Sequence, residues 1–537
     1  MSCIPELSVG RAPEPPPGPD GGVYVPPVER KWWTLLAVCT ATFMLLLDIT
    51  IVNVALPAIE RSLHASFSDL QWVIDAYALA LATFVLTAGT LADQFGRKRL
   101  FVIGIVLFTI ASAACGLAND SLFLIISRGV QGIGGAIMFA TALALISQEF
   151  HGRERGTAFG IWGATIGAAV AIGPLVGGML TSWLSWRWIF LVNIPIGIAA
   201  VFLSVAKLRE SSDPEHSRLD PLGLVTLIGG LFCLILALIE GNKQGWTSGV
   251  IIGLFLAAFV LLAVFIASQM RDRVTMIDLS LFGRPAFDGA QITAFAISSS
   301  LFAMFLYLTL YMQNVLGLSP LQTGVRFLPL SLVSFVAAPI AGRLSTRVPI
   351  RWLLGGGLGL VALSMWLMSG ITTSSDWTTL LPGFVIGGIG IGMVNAPLAA
   401  TAVSTVRVER AGMASGINNT FRQLGIATGI AALGAIFASR VTDGVVSGLS
   451  GLSNVHRLAS QLASGQATNA IASAPASDRD RIAEVARASF ISGLNHILVV
   501  GTVVAAIGAV LAAVLVRPQD FVASGPQATA AEPSAVD

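Results

Sequence analysis

Charge is scarce in this chain. Of 537 residues, 11% are Asp, Glu, Lys or Arg, 55% are hydrophobic, and the mean hydropathy is +0.80. Water-facing area needs polar groups, so this composition excludes a soluble globule. A polytopic helical membrane protein has no such need, because lipid solvates its outer face. Cysteine is scarce too. Cys3 lies in a polar N-terminal stretch, while Cys39, Cys115 and Cys233 are scattered through apolar runs. No pair has metal-ligand or redox spacing, so they read as small core residues and no metal site is expected. There is no nucleophile–base pair and no nucleotide loop of the G-x-x-x-x-G-K-[ST] kind, which argues against an enzyme and against ATP-driven transport. No cofactor and no nucleic-acid partner is expected. No cleavable signal peptide is visible: residues 1–31 read as a polar, proline-rich, disordered tail, and the apolar run from Trp32 as an uncleaved anchor.

What the chain does hold is a series of apolar runs of roughly twenty residues, the length that crosses a bilayer as a helix. They fall near 32–57, 71–92, 100–118, 121–147, 156–182, 188–206, 222–240, 249–269, 286–313, 321–343, 352–371, 379–403, 412–438 and 490–516. Loop charge tests this reading of fourteen spans. Alternate loops carry the basic residues: Arg97, Lys98 and Arg99; Arg153 and Arg155; Lys207, Arg209 and Arg218; Arg271, Arg273 and Arg284; Arg343, Arg347 and Arg351; Arg407 and Arg410. The short loops between them hold only Arg61, Arg187 and Lys243. Basic loops face the cytoplasm, which predicts both termini inside. Adding or dropping one span would reverse every later loop. The long, Ala- and Ser-rich stretch 439–489 is expected outside, with DRDRIAEVARASF as a short amphipathic helix before the last span.

Ionisable groups within apolar spans are costly and mark function by default. Asp48, Asp75 and Arg128 stand out in the first half, Arg326 and Arg422 in the second. Burial and neighbouring charge decide when such a carboxylate holds a proton. Asp48 therefore reads as a proton-coupling acid, and Arg128 as a cation that must be paired because it cannot shed its charge. Asp75, near the outer face, reads equally as a second coupling acid or a solvated interfacial one. Glu240 and Asp288 fall at span ends and read as interfacial.

Between spans 2 and 3 stands G-T-L-A-D-Q-F-G-R-K-R (Gly89 to Arg99). Gly89 permits close helix approach, Gly96 a tight turn, and Asp93 with Arg97 a charge lock on the cytoplasmic face. This resembles the signature of the major facilitator superfamily. Leu47 to Pro57 (L-D-I-T-I-V-N-V-A-L-P), Arg128 to Gly135 (R-G-V-Q-G-I-G-G) and the G-P-L-V-G-G run at Gly173 to Gly178 look like the fourteen-span drug:proton antiporter family. Trp186 to Gly197, Ser319 to Pro329 and Ser415 to Gly425 are similar to it as well. The resemblance implies an all-α major facilitator fold of two six-helix bundles plus two inserted helices. It also implies proton or cationic-drug handling by the acid at Asp48, proton transfer linked to Arg128, and gating by Gly89, Asp93, Gly96, Arg97, Gly173, Pro174, Gly177 and Gly178. The layout is then a cytoplasmic tail 1–31, a bundle 32–206, an inserted helix pair with cytoplasmic linkers 207–285, a bundle 286–516 carrying the extracellular loop 439–489, and a cytoplasmic tail 517–537. Gly342 to Arg351 (GRLSTRVPIR) is a degenerate second copy of the Gly89 motif, with Thr346 in place of Asp93 and Pro349 in place of Gly96.

The expected function is a proton-coupled efflux antiporter, energised by the proton gradient, in a bacterial plasma membrane. Its substrate cavity lies between the bundles near mid-membrane, with Asn53, Gln291, Asn395, Asn418, Asn419 and Gln423 as sparse polar lining. Such a cavity suits lipophilic drugs or antibiotics, cationic ones included. Export of an endogenous lipid or secondary metabolite is the alternative, and a channel or membrane receptor the alternative from another class. Protons, the lipophilic substrate and membrane lipid are the expected partners, and a monomer the expected state.

Overall fold

The computed structural model describes residues 30–212, 220–271, 276–345, 347–450, 455–463 and 478–517. Residues 1–29 and 518–537 of the predicted tails 1–31 and 517–537, the linker residues 213–219 and 272–275, Thr346, and 451–454 and 464–477 of the long loop lie outside these. The chain is built of helices, as a bilayer requires: lipid offers no partner for backbone N–H and C=O groups, so each span satisfies its own.

The helices are α1 (Arg30–Leu63), α2 (Phe67–Phe95), α3 (Arg97–Gly116), α4 (Ser121–Glu149) and α5 (Gly152–Trp183), then the short α6 (Trp188–Leu191) running into α7 (Asn193–Lys207). The inserted pair is α8 (Pro221–Gln244) and α9 (Gly249–Arg271). The second half holds α10 (Pro285–Ile297), α11 (Ala303–Leu310), α12 (Pro320–Leu344), α13 (Ile350–Met368), α14 (Leu381–Ser404), α15 (Ala411–Gly448), α16 (Val455–Ala463) and α17 (Arg479–Leu515). Side-chain caps set several starts. Ser66 and Asp69 form a reciprocal capping box at α2, and Ser319 and Gln322 do so at α12. Asp120 and Asp220 cap α4 and α8.

Thirteen segments among the described residues are long and apolar enough to cross a membrane. The expected fifth span, 156–182, falls within the 32-residue α5, which is not one of the thirteen. The count of fourteen is therefore not confirmed. The long loop also differs from expectation. α15 runs on to Gly448, and the DRDRIAEVARASF segment is the start of α17, continuous with the last span instead of a separate short helix.

In the first half α2 and α3 pack on α4, and α1 packs on α5 and α7; in the second, α12 and α13 pack on α14, and α10 and α15 on α17. The two halves meet chiefly through α5 against α12 and α2 against α15. The inserted α8 lies against both α2 and α15, while its hairpin partner α9 turns Leu256, Phe259 and Met270 outward. A wide π-turn at 298–302 separates α10 from α11 and a second at 311–315 follows α11, and Gly425 and Gly429 of α15 press on the first of them.

Candidate functional site

Asp48 sits mid-way along α1 with no exposed surface. Its Oδ2 pairs with Arg128 Nη1 of α4. Its Oδ1 accepts from Gln131 Nε2 at 2.9 Å and from Asn193 Nδ2 of α7 at 3.2 Å. Arg128 is held from every side: Nη1 also donates to Gln131 Oε1 at 2.7 Å, Nε donates to the Val73 carbonyl of α2 at 3.1 Å, and its guanidinium lies 4.2 Å from the Tyr77 ring centre. Asn193 Nδ2 reaches on to Ser112 Oγ of α3 at 3.0 Å. One buried network thus ties α1, α2, α3, α4 and α7 together. Close approach of α2 makes it possible, since a Cβ at Gly132 would stand 2.5 Å from the Tyr77 carbonyl.

Sequence reasoning required a partner for Arg128 but did not single out Gln131, Asn193, Ser112 or Tyr77. The signal was available. Gln131 and Asn193 are amides inside two of the stretches that carried the family resemblance, and a buried amide must find partners.

Asp75 stands apart from this network. It pairs with Lys243 of α8 at 2.9 Å, and Lys243 also holds Glu240 at 3.0 Å. Glu240, expected at the interface, is 8% exposed. One residue before Lys243, Asn242 donates to the Ala431 carbonyl of α15 at 2.9 Å. The tip of α8 therefore touches both halves. Exposed or half-exposed ion pairs contribute about 0–1 kcal/mol. Asp75→Asn should thus keep energised export within about five-fold of wild type, as measured in vesicles alongside Asp48→Asn.

The basic end of the molecule is closed by the Gly89–Arg99 motif. Asp93, 4% exposed, accepts from the backbone N–H groups of Gly412 at 2.9 Å and Met413 at 2.7 Å. A carboxylate from the first half thus caps the first turn of α15 in the second, where unsatisfied N–H groups favour an anion. Arg97 grips the same carboxylate at 2.8 Å and donates to the Glu409 carbonyl at 2.8 Å. Gly96 turns the chain at φ +110°, and a Cβ there would meet Glu210, whose carboxylate accepts from Lys98 N at the start of α3. A Cβ at Gly89 would lie 2.3 Å from the Gly412 carbonyl oxygen.

The degenerate second motif repeats this contact. A Cβ at Gly342 would lie 2.1 Å from the Gly156 oxygen, and one at Gly156 lies 2.2 Å from the Gly342 oxygen. The repeat thus keeps its glycine contact between α12 and α5, as Gly89 keeps one between α2 and α15. Overpacking such a contact costs about 1–3 kcal/mol. Gly156→Ala should therefore reduce the closed population at this end about ten-fold, read as a longer distance between spin labels at Glu154 and Leu344.

Gly173 and Gly177 serve a contact within the first half: Cβ atoms there would fall 1.8 Å from Thr50 Oγ1 and 2.8 Å from the Ile51 side chain, so α5 rides on α1 two to three residues from Asp48. Gly178 faces Leu321 of α12 with ordinary spacing. The side chains of Pro174 and Asn53 lie outside the described residues. Of the other expected cavity residues, Asn395 lines a small cavity of about 20 Å³ between the halves, with Ile166, Phe302, Ser331, Ser334 and Ile391. Gln291 and Asn418 bond to each other at 3.2 Å, and Asn419 donates to the Phe139 carbonyl of α4 at 3.2 Å. Gln423 is half-buried without placement at the cavity. Arg326 lies in the second turn of α12, donates to the Gln322 carbonyl and stands 5.4 Å from the Trp377 ring centre.

Residues 38–430 match the sequence profile of the Major Facilitator Superfamily. The chain belongs to that superfamily. It is 33% identical over 491 residues to the tetracenomycin C resistance and export protein of Streptomyces glaucescens, covering 90% of this chain and 91% of that one. It is 37% identical over 407 residues to the multidrug resistance protein Stp of Mycobacterium tuberculosis, covering 76% of each. Among solved structures it is similar in fold to the human organic anion transporter MFSD10 (TETRAN), with a TM-score of 0.56 at 14% identity, over 90% of this chain and 100% of that one. Its relatives are thus drug and antibiotic export proteins of actinobacteria. As a member of this superfamily the protein is a multi-pass membrane transporter.

Proposed function

We propose that the protein is a proton-coupled exporter of lipophilic drugs or antibiotics, set as a monomer in a bacterial plasma membrane with both termini in the cytoplasm. The observation that carries this reading is the buried Asp48–Arg128 pair, placed two to three residues from the surface on which α5 packs. Proton entry from outside neutralises Asp48 and leaves Arg128 without its counter-ion. Arg128 keeps the Val73 carbonyl and Gln131, and the tie between α1 and α4 falls from an ion pair to the hydrogen bond from Gln131 to Asp48 Oδ1. α1 carries Thr50 and Ile51 against Gly173 and Gly177 of α5, and α5 in turn packs on α12 of the other half. A change of charge at one carboxylate thus has a contiguous route to the interface between bundles. Release of the proton inside restores the pair as the next substrate is taken up. Asp93, Arg97 and the two glycine contacts close the cytoplasmic end between turnovers. The chain carries the 1–31 tail, the bundle 32–206, the inserted pair 207–285, the bundle 286–516 and the 517–537 tail as working parts.

The similarity to an antibiotic resistance and export protein of Streptomyces favours a second reading of the cargo, a self-made secondary metabolite carried by the same mechanism. A panel of lipophilic drugs, pigments and lipids offered to energised everted vesicles tests both. Uptake of several unrelated drugs supports drug efflux; uptake confined to one metabolite class supports the second reading; uptake of none rejects export.

A further inference from the structure

The buried charges of the first half are matched, Asp48 by Arg128 and Asp93 by Arg97. The second half holds one that is not. Arg422, on α15, is 7% exposed, and its Nη2 donates to Asn395 Oδ1 of α14 at 2.6 Å. Among the described residues it has no other hydrogen bond and no ion pair. The chain between 289 and 438 contains only two acids, Asp376 and Glu409. Asp376 caps the turn before α14, and Glu409 is exposed just before α15. Neither meets Arg422. A guanidinium cannot neutralise itself by losing a proton, so a buried one needs an anion from elsewhere.

Around it lie further buried polar groups without partners among the described residues, the Asn419 oxygen included. Asn395 spends its oxygen on Arg422 and is itself one of the residues that line the cavity between the halves. The Ser334 hydroxyl on the same wall has no partner among the described residues, nor does Gln291 Nε2, whose residue bonds Asn418 one turn before Arg422. Beside the cavity the Phe302, Phe305, Phe327 and Phe384 rings form a continuous aromatic series with centres 5.3–5.8 Å apart.

We propose that Arg422 binds an acidic oxygen of the exported molecule, so that the preferred cargo is an aromatic, lipophilic acid, a carboxylate or phenolate, in place of a cation. Asn395 and Ser334 supply neutral donors, and the phenylalanine series takes the ring system. This rests on the reading of the chain as an exporter and narrows its substrate class.

The test uses the full chain in proteoliposomes under an imposed proton gradient, with three probes: 1-pyrenebutyrate, its methyl ester and ethidium. Losing a hydrogen bond to a charged group is worth about ten-fold or more. Wild type should therefore carry the acid about ten-fold faster than the ester, and Arg422→Gln should lose that preference while ester transport stays within about two-fold. Arg422→Lys should fall between them. In detergent, the acid but not the ester should raise the melting temperature of the wild-type protein, a readout that needs no variant to fold. An unchanged acid-to-ester ratio in Arg422→Gln, equal stabilisation by acid and ester, or wild-type transport of ester and ethidium without the acid overturns the proposal and leaves the exporter reading standing. Wild type that carries none of the probes and nothing from the drug panel rejects the exporter reading itself.

Discussion

Asp48→Asn should abolish proton-driven export while the protein still inserts at near wild-type abundance. Asparagine keeps the shape of the side chain and can still accept from Gln131 or Asn193, so the loss is of charge and of a titratable group. Arg128 is then buried beside a neutral partner, and breaking a buried pair from one side costs about 3–5 kcal/mol. The melting temperature should fall accordingly. Arg128→Gln should be destabilising too, because it leaves the Asp48 carboxylate with amide donors only. The double variant should lose less stability than the two single losses added together, as coupled groups do in a double-mutant cycle. Its transport should stay at background. Stability recovered without transport separates a proton-carrying acid from a structural ion pair; a double variant that exports at wild-type rate would make the pair structural.

Asp93→Asn should act at the other end of the cycle. The carboxylate accepts two backbone N–H groups from the first turn of α15 and two contacts from Arg97. Hydrogen bonds to a charged group contribute about 1.5–3 kcal/mol. The amide loses the negative charge that satisfies this helix start and leaves Arg97 buried without a counter-ion. The closed basic end should lose population by at least about ten-fold, seen as a longer distance between spin labels at Phe95 and Arg407. Export should fall with it. A distance distribution identical to wild type would remove Asp93 from the closure.

The helical membrane architecture was legible because lipid leaves a composition no other outcome, and the buried pair because mid-span charge is too costly to be idle. Other features lay beyond a linear reading. Asp75 and Lys243 are 168 residues apart, and nothing local to Asp75 marks its ion-pair partner on the inserted helix. The Gly156–Gly342 contact is invisible for the same reason: each glycine alone looks like ordinary packing. The expected cavity amides of the second half take different places: Gln291 and Asn418 bond each other, Asn419 bonds across to α4, and Asn395 lines the cavity. The missed members of the Asp48 network were in plain view, since Gln131 follows Arg128 by three residues and so shares its helix face.

Proton movement driven by substrate tests the central claim most directly. Proteoliposomes holding the full chain start without a pH gradient; a substrate gradient is imposed, and internal pH is followed with an entrapped dye. Antiport through Asp48 predicts protons moving opposite to substrate, and no proton movement with Asp48→Asn. Substrate flux without proton flux, or the same proton flux in Asp48→Asn, would contradict it.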